Sequence, residues 1–139
     1  MLQSYSIYSH LGILLYEFPS DSLMDVELFG ALIQALNLCC QEALRNELHD
    51  FGTTSDRFII HRRADWGLYI VGKVDRIDTD ESIIPRLQHI LAQFEKCFQM
   101  ELKNFNSNVA VFANFKYNLT TENINGLSLN SSLSFTALE

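Results

Sequence analysis

Residues 2–18 read LQSYSIYSHLGILLYEF, and this stretch decides the fold of the 139-residue chain. Tyr5 and Ile7 alternate with serines, which is the period of two expected of a strand with one buried face. Residues 13–18 are apolar almost throughout, so we expect the second strand to be covered on both faces and central in its sheet. Because residues 10–12 supply a turn between the two, the chain is predicted to open with a β-hairpin.

A long apolar helix is predicted to follow the hairpin, over about residues 22–44. Ser22 with Asp25 three residues later is a variant of the capping-box pattern, and it places negative charge at the positive end of the helix. Apolar residues then recur at spacings of three and four, which is typical of one wide apolar face. They are Val26, Phe29, Leu32, Ile33, Leu36, Cys40 and Ala43, with Leu28, Ala31, Ala35 and Leu38 beside them.

The polar stripe of this helix is narrow, which leaves more apolar surface than one face of a sheet covers. We therefore predict that Leu28, Leu32 and Ala35 contact a partner chain. The alternative, in which the helix serves only the core of its own domain, stays open.

Three further strands are predicted in an antiparallel meander, at about residues 48–53, 57–63 and 68–75. Short stretches of turn composition separate them. Gly72, inside the last strand, indicates a bulge or a close approach of its backbone to a neighbouring helix.

A second long amphipathic helix is predicted to start in the acidic residues 78–82 and to end near Leu102, with Pro85 in its first turn. A shorter third helix is predicted within residues 109–124, and residues 125–139 are predicted to form a flexible tail. The fold class is therefore α+β, with one five-stranded antiparallel sheet in ββαβββα order. Residues 1–124 are predicted to form the domain.

The charge balance excludes several classes of protein. The chain has 17 acidic and 10 basic residues and a net charge of −7, so its average field repels phosphate backbones and anionic membranes. The apolar run at residues 28–40 is interrupted by Gln34 and Asn37 and is shorter than the roughly 18 residues of a membrane span. The first residues lack the positive flank of a signal peptide. We expect a cytoplasmic protein without nucleic-acid partners, recruited to membranes at most through other proteins.

The cysteines and histidines indicate neither a metal site nor a catalytic site. Cys39, Cys40 and Cys97 are odd in number and lie in apolar helical segments, where a thiol behaves as a small hydrophobic group. The four histidines lack paired-ligand spacing, and the six glycines form no phosphate-binding motif. We therefore predict no catalytic residues, no metal and no cofactor, and an enzyme is the minority interpretation.

The most distinctive polar stretch is HRRADW at residues 61–66. Arg and Trp are enriched at binding hot spots, so Arg62, Arg63 and Trp66 are candidate partner-binding residues for an acidic partner. The alternative is a solvated hairpin tip with Trp66 folded down on its neighbours.

The hairpin, the long first helix, the meander RFIIHRRADWGLYIVGK at residues 57–73 and the closing helix at residues 87–102 together resemble a longin-type domain. The resemblance covers about residues 2–124 and is greatest to small stand-alone longin-like proteins of archaea and their eukaryotic trafficking relatives. Roadblock domains and profilins have related sheets but normally begin with a helix. Longin-like domains are scaffolds that pair with each other, with GTPases, or with coat and tethering subunits, so the resemblance implies such a role.

The predicted function is a non-enzymatic protein–protein interaction module in small-GTPase or vesicle-trafficking assemblies. Its expected partner is a small GTPase or a longin- or roadblock-type subunit, in a homodimer or heterodimer. The alternative is a small-molecule sensor, with a ligand held between sheet and helix by the many aromatic residues.

Overall fold

The computed structural model describes residues 1–19, 25–63, 65–105 and 108–115. Its elements, in chain order, are β1 (Leu2–Tyr8), β2 (Leu14–Phe18), α1 (Val26–Leu44), β3 (Asp50–Gly52), β4 (Arg57–Arg62), β5 (Tyr69–Val74), α2 (Asp80–Cys97), α3 (Gln99–Lys103) and the 3-10 helix Ala110–Asn114. The predicted α+β class and ββαβββα order are confirmed. Most of the predicted third helix and the whole predicted tail, residues 125–139, lie outside the described residues.

The five strands form one antiparallel sheet in the order β2-β1-β5-β4-β3. The prediction that the second strand is central was therefore wrong, because β2 is an edge strand and β1 pairs with both β2 and β5. The predicted coverage of this strand on both faces is confirmed, because Leu15 packs in the core on one face of the sheet and Leu14 against the core on the other. The apolar sequence of β2 therefore reflects burial of both of its faces. It does not indicate a hydrogen-bonded strand on each side.

α2 covers one face of the sheet and forms what we call the α2-side core. Its residues Ile83, Leu87, Ile90 and Phe94 are at most 1% exposed and recur at spacings of three and four. Gly72 on β5 fits against this helix, because a Cβ there would lie 2.9 Å from a methyl group of Leu87. The predicted close approach at this glycine is confirmed.

α1 covers the opposite face with a smaller aromatic core, the α1-side core. The ring of Phe29 lies 4.9 Å from that of Phe58, and Phe58 stacks on Phe51 at 5.1 Å. These rings fill the space between α1 and the outer strands of the sheet, which is where the ligand-sensor alternative would place a small molecule.

Three helix boundaries differ from the sequence-based expectations: the starts of α1 and α2, and the end of α2, which lies at Cys97 rather than near Leu102. α1 begins at Val26, and its cap is Asp25, whose carboxylate accepts the backbone N–H of Leu28 at 3.0 Å. The predicted cap Ser22 lies outside the described residues. α2 begins at Asp80, which makes Pro85 the sixth helical residue rather than part of the first turn. Pro85 is exposed there, and its missing N–H leaves the carbonyl of Glu81 without its helical donor.

Candidate partner-binding surfaces

α1 exposes an apolar stripe on the side away from the sheet. Leu28 is 67% exposed, Leu32 46% and Leu38 58%, whereas Phe29 and Ile33 on the opposite side are buried. We call this surface the α1 stripe, and its members are Leu28, Ala31, Leu32, Ala35, Leu38 and Cys39, all exposed. The predicted residues Leu28, Leu32 and Ala35 therefore lie together on one accessible face.

The cysteines are more accessible than their apolar surroundings suggested. Cys39 and Cys97 are exposed, and Cys40 is half-buried against the α1-side core. The expectation that all three behave as small core residues was wrong for Cys39 and Cys97. The reason for Cys39 is that α1 is apolar on its outer side as well as its inner side.

Arg62 links α1 to the segment before β3 through hydrogen bonds. Its guanidinium donates to the carbonyl of Leu48 at 2.6 Å and to the side-chain oxygen of Asn37 on α1 at 3.0 Å. The same oxygen of Asn37 accepts the backbone N–H of Leu48 at 2.9 Å. Arg62 thus already has intramolecular partners on the α1 side of the sheet.

Arg63 reaches the opposite side and contacts α2. Its Nε lies 2.8 Å from Oε1 of Glu95, and its Nη2 lies 3.6 Å from the exposed Asp65 carboxylate. The side chain of Glu95 is only 7% exposed, and its Oε2 is buried with no hydrogen-bond partner among the described residues. Burial raises the pKa of Glu95, and the positive charge of Arg63 opposes that rise.

The sequence analysis did not single out Glu95. It occupies an apolar position of the α2 repeat, four residues after the buried Leu91 and three before the buried Phe98. A charged residue in such a position needs a buried partner, and this is the signal that would have identified it.

Trp66 lies in the turn between β4 and β5, half-buried against the α2-side core. The indole is thus folded down on its neighbours, as in the alternative that the sequence left open. Gly67 follows with φ +70°, and a Cβ there would lie 2.8 Å from Cβ of His10, so the two hairpin turns touch. Of the three predicted residues in this stretch, Arg63 and Trp66 share the α2 side, whereas Arg62 does not.

An open groove of about 590 Å³ runs between the end of β4 and the outer face of α2. Its walls include His61 and Arg63 from the strand end, and Gln88, His89 and Ala92 from the helix. Burial lowers the pKa of both histidines, and the positive charges of Arg63 and Arg62 lower that of His61 further. We call this surface the α2 groove.

Neither a metal cluster nor a membrane span occurs in the part of the chain that the structure describes. No three His, Cys, Asp or Glu side chains there are grouped so that they hold an ion. No described helix is both long enough and apolar enough to cross a bilayer.

No protein-family model and no curated protein matches the chain at the sequence level. Solved structures do match it. MglB of Myxococcus xanthus superposes with a TM-score of 0.51 at 12% identity, over 70% of this chain and 84% of that one. The mammalian SRP receptor superposes with a TM-score of 0.52 at 16% identity, over 89% of this chain and 90% of that one. The chain has a longin/roadblock-like fold, as the resemblance predicted.

Proposed function

We propose that this protein is a non-enzymatic interaction module, a scaffold or regulatory subunit of small-GTPase or vesicle-trafficking assemblies, and that it pairs with a second copy of itself through the α1 stripe. The observation that carries the proposal is the exposure of three leucines along one helix face. Contiguous exposed apolar surface on a folded domain marks an interaction site.

The spacing of the stripe fits a symmetric, antiparallel pair of α1 helices. A dimer with a two-fold axis brings the same patch of both copies together. With the axis at Ala35, Leu32 of one copy meets Leu38 of the other, because each lies three residues from the axis. The small side chain of Ala35 permits close approach of the two helices at the axis.

The ends of α1 support the same arrangement. Asp25 and Arg45 lie ten residues before and after Ala35, so antiparallel pairing puts the carboxylate of one copy opposite the guanidinium of the other. A parallel pair would place like charges side by side. Glu42 would lie at the rim beside Leu28 of the second copy, where its charge stays in water.

The assembly class is supported by the resemblance to longin-type domains and by the shared fold. The mammalian SRP receptor is by its name a receptor, which accords with a role in binding other molecules. A small GTPase or a related longin- or roadblock-type subunit is the proposed further partner, and recruitment of this cytoplasmic module to membranes would follow from such partners. The ligand-sensor alternative stays a prediction.

Sedimentation velocity over a concentration series tests the pairing. We expect a monomer–dimer equilibrium in the micromolar range, because the stripe is small compared with an obligate interface. A clean monomer at several hundred micromolar would overturn self-pairing. A heterodimer formed through the same face would then appear as complex formation with a purified longin-type subunit, sensitive to substitution of Leu38.

A further inference from the structure

We propose that Leu11, in the turn between β1 and β2, belongs to the self-pairing surface and packs against Leu38 of the second copy. This inference rests on the proposed pairing through the α1 stripe, and it adds a contact from outside the helix. Leu11 is 69% exposed, as open to water as the leucines of the stripe itself.

Hydrogen bonds to Ser9 hold the turn in one shape. The side-chain oxygen of this buried serine accepts the backbone N–H of Leu11 at 3.3 Å and that of Ile13 at 3.2 Å. Its backbone carbonyl accepts the N–H of Gly12, and its own N–H donates to the carbonyl of Ile13, both at 2.9 Å. Leu11 is therefore presented by a preorganised turn, which loses little backbone freedom when a partner covers it.

The turn lies against α1 at the level of Gly30 and Gln34. The side-chain nitrogen of Gln34 donates to the carbonyl of His10 at 3.2 Å, and a Cβ added to Gly12 would lie 2.8 Å from Cγ of Gln34. A Cβ added to Gly30 would lie 3.0 Å from the carbonyl oxygen of Gly12. Both sequence neighbours of Leu11 thus contact this stretch of the helix.

Gln34 borders the α1 stripe, so the turn is continuous with it. Residues three and four positions apart are neighbours on a helix surface, and Gln34 comes three residues after Ala31 and four before Leu38. Leu11 therefore lies beside that flank of the stripe and widens it. Exposed apolar residues that adjoin one another mark an interaction site, whereas isolated ones do not.

The proposed two-fold axis at Ala35 determines which residue Leu11 meets. The axis of an antiparallel helix pair lies between the helices and perpendicular to both, so each flank of one α1 faces the same flank of the other. Residues 30–34 lie one to five positions before the axis and therefore meet residues 36–40 of the second copy. Leu38 is at the centre of that range, on the flank that borders the turn.

Charge and area favour a second copy as the occupant of this surface. Antiparallel pairing puts Asp25 of one copy opposite Arg45 of the other, and the two-fold axis makes the contact between Leu11 and Leu38 twice in each dimer. Specific interfaces bury about 800 Å² per partner, and the stripe alone is a single helix face. The turn adds apolar area to it in two places.

Sedimentation velocity of Leu11→Gln tests the contact. We expect the dimer dissociation constant to rise about tenfold, because the dimer loses the partial burial of two leucines. Ile77→Gln is the matched control, since Ile77 is 90% exposed in the turn after β5, at the opposite end of the sheet. It should change the constant less than about twofold. A thermal melt and emission of Trp66 confirm that each variant is folded, and Leu11→Ala replaces Leu11→Gln if the latter is not.

A mixed disulfide identifies the residue that Leu11 meets. One chain carries Leu11→Cys and the other, with a larger tag, carries Leu38→Cys, both with serine at the native cysteines. After mixing above the dissociation constant and mild oxidation, we expect a disulfide-linked pair of one small and one large chain on a non-reducing gel. Ile77→Cys in place of Leu11→Cys should give no such band.

Two results would overturn this inference and leave the α1 pairing in place. They are an unchanged dissociation constant for Leu11→Gln, or no mixed disulfide between the Leu11 and Leu38 variants, in a protein whose dimer is weakened by Leu38→Gln. A wild-type chain that stays monomeric at several hundred micromolar would overturn both the pairing and the contact of Leu11.

Discussion

Replacing Leu38 by Gln should break the pairing of α1 helices without unfolding the protein. Leu38 is 58% exposed in the single chain, and full burial of a leucine side chain contributes about 2 kcal/mol. Burying the exposed part in a dimer then contributes about 1.2 kcal/mol per copy, or roughly 2.4 kcal/mol for the symmetric pair. Since 1.4 kcal/mol is a factor of ten, the dimer dissociation constant should rise about 50-fold.

The stability of the single chain should change little, because Gln and Leu have similar helix propensities and the position is exposed. Leu44→Gln is the matched control. Leu44 is 70% exposed on the same helix but lies outside the α1 stripe. Sedimentation velocity measures the dissociation constant, and urea unfolding at a concentration where the chain is monomeric measures stability. The reasoning is refuted if Leu44→Gln weakens the dimer as much as Leu38→Gln does, or if Leu38→Gln lowers monomer stability by more than about 1 kcal/mol.

Four further outcomes are expected. With the native cysteines replaced by serine, Ala35→Cys should form a disulfide-linked dimer under mild oxidation, visible on a non-reducing gel; absence of the dimer band would place the axis elsewhere. Arg62→Gln should lose the contact with Asn37 and lower the free energy of unfolding by about 1–3 kcal/mol in urea titrations, with dimerisation unchanged. Burial raises the pKa of Glu95 above 4.5, so the native state holds that proton more tightly and wild-type stability is lost as pH rises through the raised value. Glu95→Gln should therefore gain stability relative to wild type as the pH rises above about 4.5, and an unchanged difference would contradict this. Replacing the fully buried Phe94 by Ala should lower the free energy of unfolding by about 3–5 kcal/mol, measured by urea unfolding.

The order of strands and helices was predictable because β1 and the two long helices have clear hydrophobic periods. The period of two in β1 and the spacing of three and four in α2 follow directly from the faces that are buried. The position of β2 was not predictable from its own sequence. Its apolar run reflects packing on both faces of the sheet, and the pairing of β1 with β5 depends on residues more than sixty positions away.

The candidate surfaces were predictable in part. The excess of apolar residues on α1 identified the stripe, because one helix face is enough to cover a sheet. Arg62 and Arg63 were grouped because they are adjacent in sequence, yet their contacts lie on opposite sides of the sheet. Glu95 and the groove beside it depend on how α2 docks against the end of β4, which no local pattern specifies.

The adjacent arginines at the end of β4 constrain how this protein can evolve. Arg62 binds Asn37 on α1, and Arg63 binds Glu95 on α2, so two consecutive residues anchor both outer layers to one strand. Side chains of a strand alternate between its faces, and a single inserted or deleted residue in β4 would exchange the two directions. Each arginine would then face the wrong helix. We expect length variation among homologous chains to fall in the turn after Arg63 and not within β4.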